Sequence, residues 1–144
     1  MQRADESQVR VQLLGGPTVI IEFAGLRLLT DPTFDGPGEY YTGRGYKLIK
    51  TEGPALTGDE VDEIDVVLLS HDHHADNLDT NGRAFLPLVP RVLTTVSGSP
   101  RIGPNATAMP RWSHVDVRRP SGGDVRIMGV PAQHGQVLYQ ARSL

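Results

Sequence analysis

The chain has 144 residues, 38% of them hydrophobic and 22% charged, enough for one domain with a core of its own. A formal net charge of −3 carries no electrostatic footprint for nucleic acid. The absence of cysteine excludes disulfides and thiolate ligands and agrees with a cytoplasmic protein, so a bound metal would rest on His, Asp, Glu, Asn or backbone oxygen.

The N-terminus, MQRADESQVR, lacks the apolar core of a signal peptide, and no run approaches the roughly 18 apolar residues of a transmembrane helix, so neither is expected. With 16 glycines and 11 prolines, the composition favours many turns and short strands over long helices. Val9 to Leu14, Thr18 to Phe23 and Leu26 to Thr30 are rich in aliphatic and β-branched residues and are separated by glycine turns. They predict an antiparallel meander, ended at Asp31-Pro32 because proline cannot donate to a sheet ladder. Thr33 to Thr57 has weak periodicity and reads as a long loop. Its Tyr40, Tyr41, Arg44, Tyr46 and Lys47 suit the gripping of a polar or anionic substrate, the alternative being a surface loop without ligand contact. Gly58 to Ile64 reads as an acidic turn or one-turn helix.

Asp65 to Asp79, DVVLLSHDHHADNLD, is the centre of the chain. A short apolar strand, Asp65 to Leu69, breaks into histidines and carboxylates. His71 and His73 stand two apart, and in an extended segment such residues project to the same side, where both imidazoles reach one point. Asp76 and Asn77 follow where the chain turns toward a helix. Imidazole with carboxylate favours zinc and comparable transition ions. Leu78 to Leu88 predicts a helix despite Gly82, and Arg91 to Thr95 a buried strand, making a β-α-β unit. Ala106 to Met109, Val115 to Arg118 and Asp124 to Val130 are further strands, and the last delivers His134 in PAQHG.

Two apolar strands ending in His71-x-His73 and in Pro131-Ala-Gln-His134-Gly resemble the metallo-β-lactamase superfamily, in particular the branch containing the ascorbate-6-phosphate lactonases. The likeness runs from the meander ending LLTDP through VVLLSHDH, RVLTT and Trp112 to VPAQHG. It implies an α+β fold, an αββα sandwich of which this chain would be the N-terminal sheet and helices, and a single partial domain over 1–144. It also implies that His71, His73 and His134 hold a divalent metal, zinc first, with manganese, iron or nickel as alternatives. Such an ion lowers the pKa of its water to about 7 and yields a nucleophile at neutral pH. Asp76 matches the family aspartate that contacts metal or steers the water, which makes it the catalytic candidate, and Asp31 matches a supporting aspartate.

Two departures from the family pattern stand out. The usual H-x-H-x-D-H places its acid four after the first histidine. Here Asp76 is five after His71, and Asn77 replaces the last histidine. Either Ala75 is an insertion absorbed by the loop, or His74 takes a role the pattern lacks. Asparagine is a weaker transition-metal ligand than imidazole, which favours a mononuclear site or a harder ion over a second metal. The chain also ends before the family's further ligands.

The expectation is therefore a hydrolase acting on a small ester, lactone or phosphoester, without nucleic-acid or membrane partners. The alternative is a half-domain that binds metal or self-associates without turnover, a homo-oligomer then covering its open sheet face. Among the remaining residues, His74 reads as solvent-facing or supporting, Asp72 as a solvated loop acid or one that orients a histidine, Asp79 as a first-turn helix acid, His114 as a surface residue and Trp112 as core or interface packing.

Overall fold

In the computed structural model, which describes residues 3–41 and 45–134, the first three predicted strands form the meander. β1 (Val9–Gly15) pairs antiparallel with β2 (Thr18–Phe23), and β2 with β3 (Leu26–Thr30). The tight β2–β3 turn requires positive φ at both corners. Gly25 (φ 82) adopts it freely and Ala24 (φ 52) follows.

Residues 33–57 depart from the expected irregular loop. They contain a hairpin in which β4 (Gly38–Tyr41) pairs antiparallel with β5 (Lys47–Lys50), and Lys47 meets Glu39 at 2.8 Å. Arg44, grouped by sequence with the cations of this stretch, lies outside the described residues. Residues 58–60 are a turn, closed by Glu60, whose carboxylate accepts from the backbone and hydroxyl of Thr57.

The main sheet continues with β6 (Val66–Leu68), β7 (Val92–Thr94) and β8 (Ala106–Ala108), all parallel to β3, in the order β1-β2-β3-β6-β7-β8. Parallel strands need crossovers, and α1 (Thr80–Phe85) with a 3-10 turn at Leu86–Leu88 supplies the one between β6 and β7. The helix is shorter than the predicted Leu78 to Leu88. Asp79 is its N-cap rather than a first-turn acid, and Pro87 falls in the 3-10 turn. Gly82 is dictated by packing, since a Cβ there would lie 1.9 Å from the Pro32 carbonyl oxygen.

Alternation along the central strands sends side chains to two faces. Leu29, Val67 and Val92 join Phe34, Ile64, Leu78, Phe85, Leu86 and Val89 under the helical layer. Leu28, Val66 and Leu93 face the other way, where β9 (His114–Arg118) and β10 (Asp124–Met128) form an antiparallel hairpin. Val115, Val117, Val125 and Ile127 pack on them, while Asp116 and Arg126 pair on the outer side. This is the expected α+β class, with helices on one face of a mixed sheet and a second β-layer on the other. That second layer reaches Ile21 of β2 and Leu26 and Leu28 of β3 but leaves β1 uncovered. Val9, Val11 and Leu13 are 62, 64 and 64% exposed, and Phe23, paired with Val9, is 44% exposed. Among the described residues, no helix is long and apolar enough to cross a membrane.

Candidate metal centre

β3, β6 and β7 run parallel, so their C-terminal ends open at one edge. Thr30, Asp31, Leu69, Ser70, Thr94 and Thr95 line a groove there, about 1020 Å3 in volume, between the main sheet and the end of the β9–β10 hairpin. His71 enters it from the loop after β6 and His134 from the segment after β10.

The chain leaves β6 at Leu68, so the histidines sit in a bent loop and not in an extended strand. The period of two that pairs His71 with His73 therefore does not apply. Asn77 and Leu78 donate their N–H groups to the His74 carbonyl, closing a turn over residues 75–77. The bend brings residues 71 and 74 together. His71 Nε2 lies 3.1 Å from His74 Nδ1, and His134 Nε2 lies 3.4 Å from the same atom. Ring centroids stand 4.5 to 5.3 Å apart.

His73, expected as the second ligand, is directed elsewhere. Arg101 Nη2 donates to its Nε2 at 3.1 Å, occupying that lone pair, and Asp72 lies 3.6 Å from its Nδ1. His74, read as solvent-facing or supporting, stands in the cluster in its place. Asp76 is exposed in the turn and is not one of the converging groups.

Four contacts hold the loop in this shape. Asp72 is buried and takes a two-pronged bond from Arg101 of α2 (Ser99–Ile102), both arms at 2.7 Å. That hydrogen bond, with the charges of Arg101, His73 and Arg83, outweighs burial and keeps the Asp72 carboxyl below its ordinary range. Arg83 donates to the Asp72 carbonyl at 2.9 Å, and Asn77 Nδ2 to the His71 carbonyl at 2.5 Å. Asn77 thus ties the loop with its amide, while its Oδ1 is buried without a partner among the described residues. On the other side, Asp31 accepts the Ser70 N–H and hydroxyl, each at 2.7 Å, from a backbone at φ 26 that non-glycine residues seldom adopt.

This network fixes a proton. The Asp31 carboxylate only accepts, so the Ser70 hydroxyl hydrogen points to it, and Ser70 Oγ accepts from His71 Nδ1 at 2.9 Å. His71 Nε2 then carries the free lone pair, aimed into the cluster. Burial first, and the neighbouring His134 and His74 second, lower the His71 pKa and favour the neutral, ligating form.

The donor set fits a metal ion. Nitrogens about 2.05 Å from a tetrahedral ion stand roughly 3.3 Å apart, close to the 3.1 and 3.4 Å found here. Hydrogen bonding alone explains the arrangement poorly, because one Nδ1 has a single proton or lone pair to share between two imidazoles. Ser70, Arg83 and Arg101 are residues around the cluster that sequence reasoning missed, whereas His74 was given only a supporting role or one outside the family pattern. Only the doubled histidine and the serine preceding His71 left a trace in the sequence.

Comparison with known proteins gives concordant results. Residues 10–143 match the family model described as the beta-lactamase superfamily domain. The chain is 25% identical to N-acyl-phosphatidylethanolamine-hydrolyzing phospholipase D 1 of Caenorhabditis elegans, covering 90% of this chain and 38% of that protein. Among solved structures it resembles an isothiocyanate hydrolase from Delia radicum gut bacteria, with a TM-score of 0.66 at 18% identity over 92% of this chain and 51% of the other. It also resembles CmlA, a diiron beta-hydroxylase from Streptomyces venezuelae, with a TM-score of 0.55 at 18% identity over 86% of this chain and 24% of that one. The chain thus spans about half, or less, of the length of each.

Proposed function

The chain belongs to the beta-lactamase superfamily, and on that premise we propose that it forms the metal-holding part of a metal-dependent hydrolase acting on an ester, lactone or phosphoester. The observation that carries this reading is the convergence of His71 Nε2, His74 Nδ1 and His134 Nε2. When bound there, a divalent metal, zinc first, supplies a Lewis acid and an acidified water.

The remaining roles belong to the chain. Ser70 and Asp31 keep the His71 proton on Nδ1, away from the cluster. Asp76, exposed in the turn after His74 and close enough for its charge to act on His71, would orient a water at the site and accept a proton from it. The groove running from the histidines receives the substrate body.

Elemental analysis of protein purified without chelators, paired with hydrolysis of p-nitrophenyl esters and phosphodiesters, tests the reading. One metal per chain is expected, lost in His71→Ala and His74→Ala and retained in His73→Ala. Wild-type protein without stoichiometric metal would end it.

A second reading is favoured by the exposed meander face of Val9, Val11, Leu13 and Phe23. In it the chain self-associates through this face without turnover. Sedimentation equilibrium showing a dimer that Val11→Asp converts to monomer, with no hydrolysis by either species, would decide for it.

A further inference from the structure

Arg111 lines the groove that holds His71 and His134, and among the described residues it is the one arginine or lysine to do so. The other described arginines, Arg91 apart, engage a carboxylate or a backbone carbonyl. Among the described residues Arg111 engages none. Asp31, the one acid among the described residues that line the groove, has both oxygens committed to Ser70.

The backbone that presents Arg111 is rigid and strained. Pro110 to Ser113 is a tight turn closed by Ser113 N–H to the Pro110 carbonyl at 3.0 Å, with Arg111 and Trp112 at its corners. It is pinned to the main sheet through Met109 N to Thr94 O at 2.8 Å, and to the end of the hairpin through Trp112 N to Gly129 O at 2.7 Å. Trp112 takes φ 62, a conformation glycine would adopt without strain, and is 63% exposed, which removes the core alternative of the sequence reading. A large side chain kept at such a corner, beside a cation facing a groove, is the pattern of a ligand clamp. The groove lining also offers Leu68, Leu93, Met109, Ile127 and Val130.

We propose that Arg111 binds an anionic oxygen group, phosphate or carboxylate, of a substrate whose apolar body lies in the groove, with Trp112 as the aromatic corner beside it. This rests on reading the groove as the substrate channel of the histidine cluster. A guanidinium offers such a group two parallel N–H donors, a geometry that lysine lacks.

Trp112 is the single tryptophan of the chain, so its fluorescence reports on this corner. Metal-free protein is titrated below micellar concentration with octyl phosphate, octanoate, octanol and inorganic phosphate. Saturable binding of octyl phosphate or octanoate is expected, the tighter of the two identifying the group, with octanol and inorganic phosphate each at least tenfold weaker. Arg111→Ala should weaken the preferred anion roughly tenfold to a hundredfold, and Arg111→Lys by less, with circular dichroism confirming that both fold. Octanol binding as tightly as both anions, inorganic phosphate as tightly as octyl phosphate, or unchanged affinity in a folded Arg111→Ala or Arg111→Lys protein would overturn the proposal. Because the readout needs neither metal nor turnover, intact anion binding in a protein that takes up no metal would refute the hydrolase reading and leave this one standing.

Discussion

Ser70 Oγ accepts the His71 Nδ1 proton at 2.9 Å while giving its own to Asp31 at 2.7 Å. A hydroxyl therefore stands between carboxylate and imidazole, and it selects the tautomer that leaves Nε2 free to ligate. Ser70→Ala removes the acceptor and lets the ring rotate or move its proton to Nε2. Metal affinity should fall 10–100-fold, the usual effect of losing such a supporting partner, with the fold intact. Competition against a chromophoric chelator measures it, and Ser70→Thr should restore most of the loss. Equal affinities in Ser70→Ala and wild type would show that the relay does not govern His71.

Asp79 serves two segments with one carboxylate. Its Oδ1 caps α1 at Gly82 N and also accepts Phe34 N, and its Oδ2 accepts Asp35 N at 2.7 Å. Asp35 reciprocates by accepting Asn81 N at 2.9 Å. The pair thus fastens the segment after β3 to the start of α1, one turn beyond the histidine loop. Asp79→Ala strands three buried N–H groups and should cost about 2–4 kcal/mol, read as a lower urea midpoint at unchanged slope. Asp79→Asn keeps one acceptor oxygen and should lose less.

Gly82 is the contact point of the same junction. A methyl group there meets the Pro32 carbonyl oxygen at 1.9 Å, and backbone cannot yield as a flexible side chain would. Although alanine is the better helix former by about 1 kcal/mol, Gly82→Ala should destabilise the protein by several kcal/mol or prevent folding. Thermal unfolding at or above the wild-type midpoint would contradict the close packing.

The contrast between strands and loops shows what was legible in the sequence. The meander, β6, β7 and the β9–β10 hairpin were readable because β-branched runs bounded by glycine and proline report directly on local structure. The β4–β5 hairpin was hidden because its four-residue strands lie among glycines, leaving no alternation long enough to count. His71 and His134 could be named as candidates from their positions at strand ends. The sequence left open a role for His74 outside the family pattern but could not choose it over His73, because the choice depends on where β6 stops and on Arg101, 28 residues away, taking Asp72 and His73 for itself. Trp112 shows the same limit: nothing local announces that its corner needs a left-handed backbone.

The steep part of the acid sensitivity, below about pH 4, should originate away from the histidines, at Glu22. Its side chain is 2% exposed and takes bonds from Arg27 at 2.6 and 2.9 Å, from Arg10 at 3.0 Å and from the Ala4 N–H at 3.0 Å. Burial, the largest single influence, pushes its pKa up, but the Arg27 and Ala4 hydrogen bonds and the Arg27 and Arg10 charges together bring it below the ordinary glutamate value. A carboxyl whose folded pKa lies below its unfolded one binds fewer protons in the native state. Its stabilisation is therefore complete above the unfolded pKa, near 4.3, and is lost as pH falls through the folded value. Asp72, lowered by Arg101, acts in the same direction. Urea midpoints measured in chelator should decline gently below about pH 6.5, where His71 protonates more readily in the unfolded chain, and drop steeply below about 4. Glu22→Gln should be less stable at pH 7 by roughly 3 kcal/mol, since it breaks a buried ion pair by neutralising one member. It should also show a shallower acid decline than wild type. If the variant lost stability between pH 5 and 3 as steeply as wild type, the acid-sensitive group would lie elsewhere.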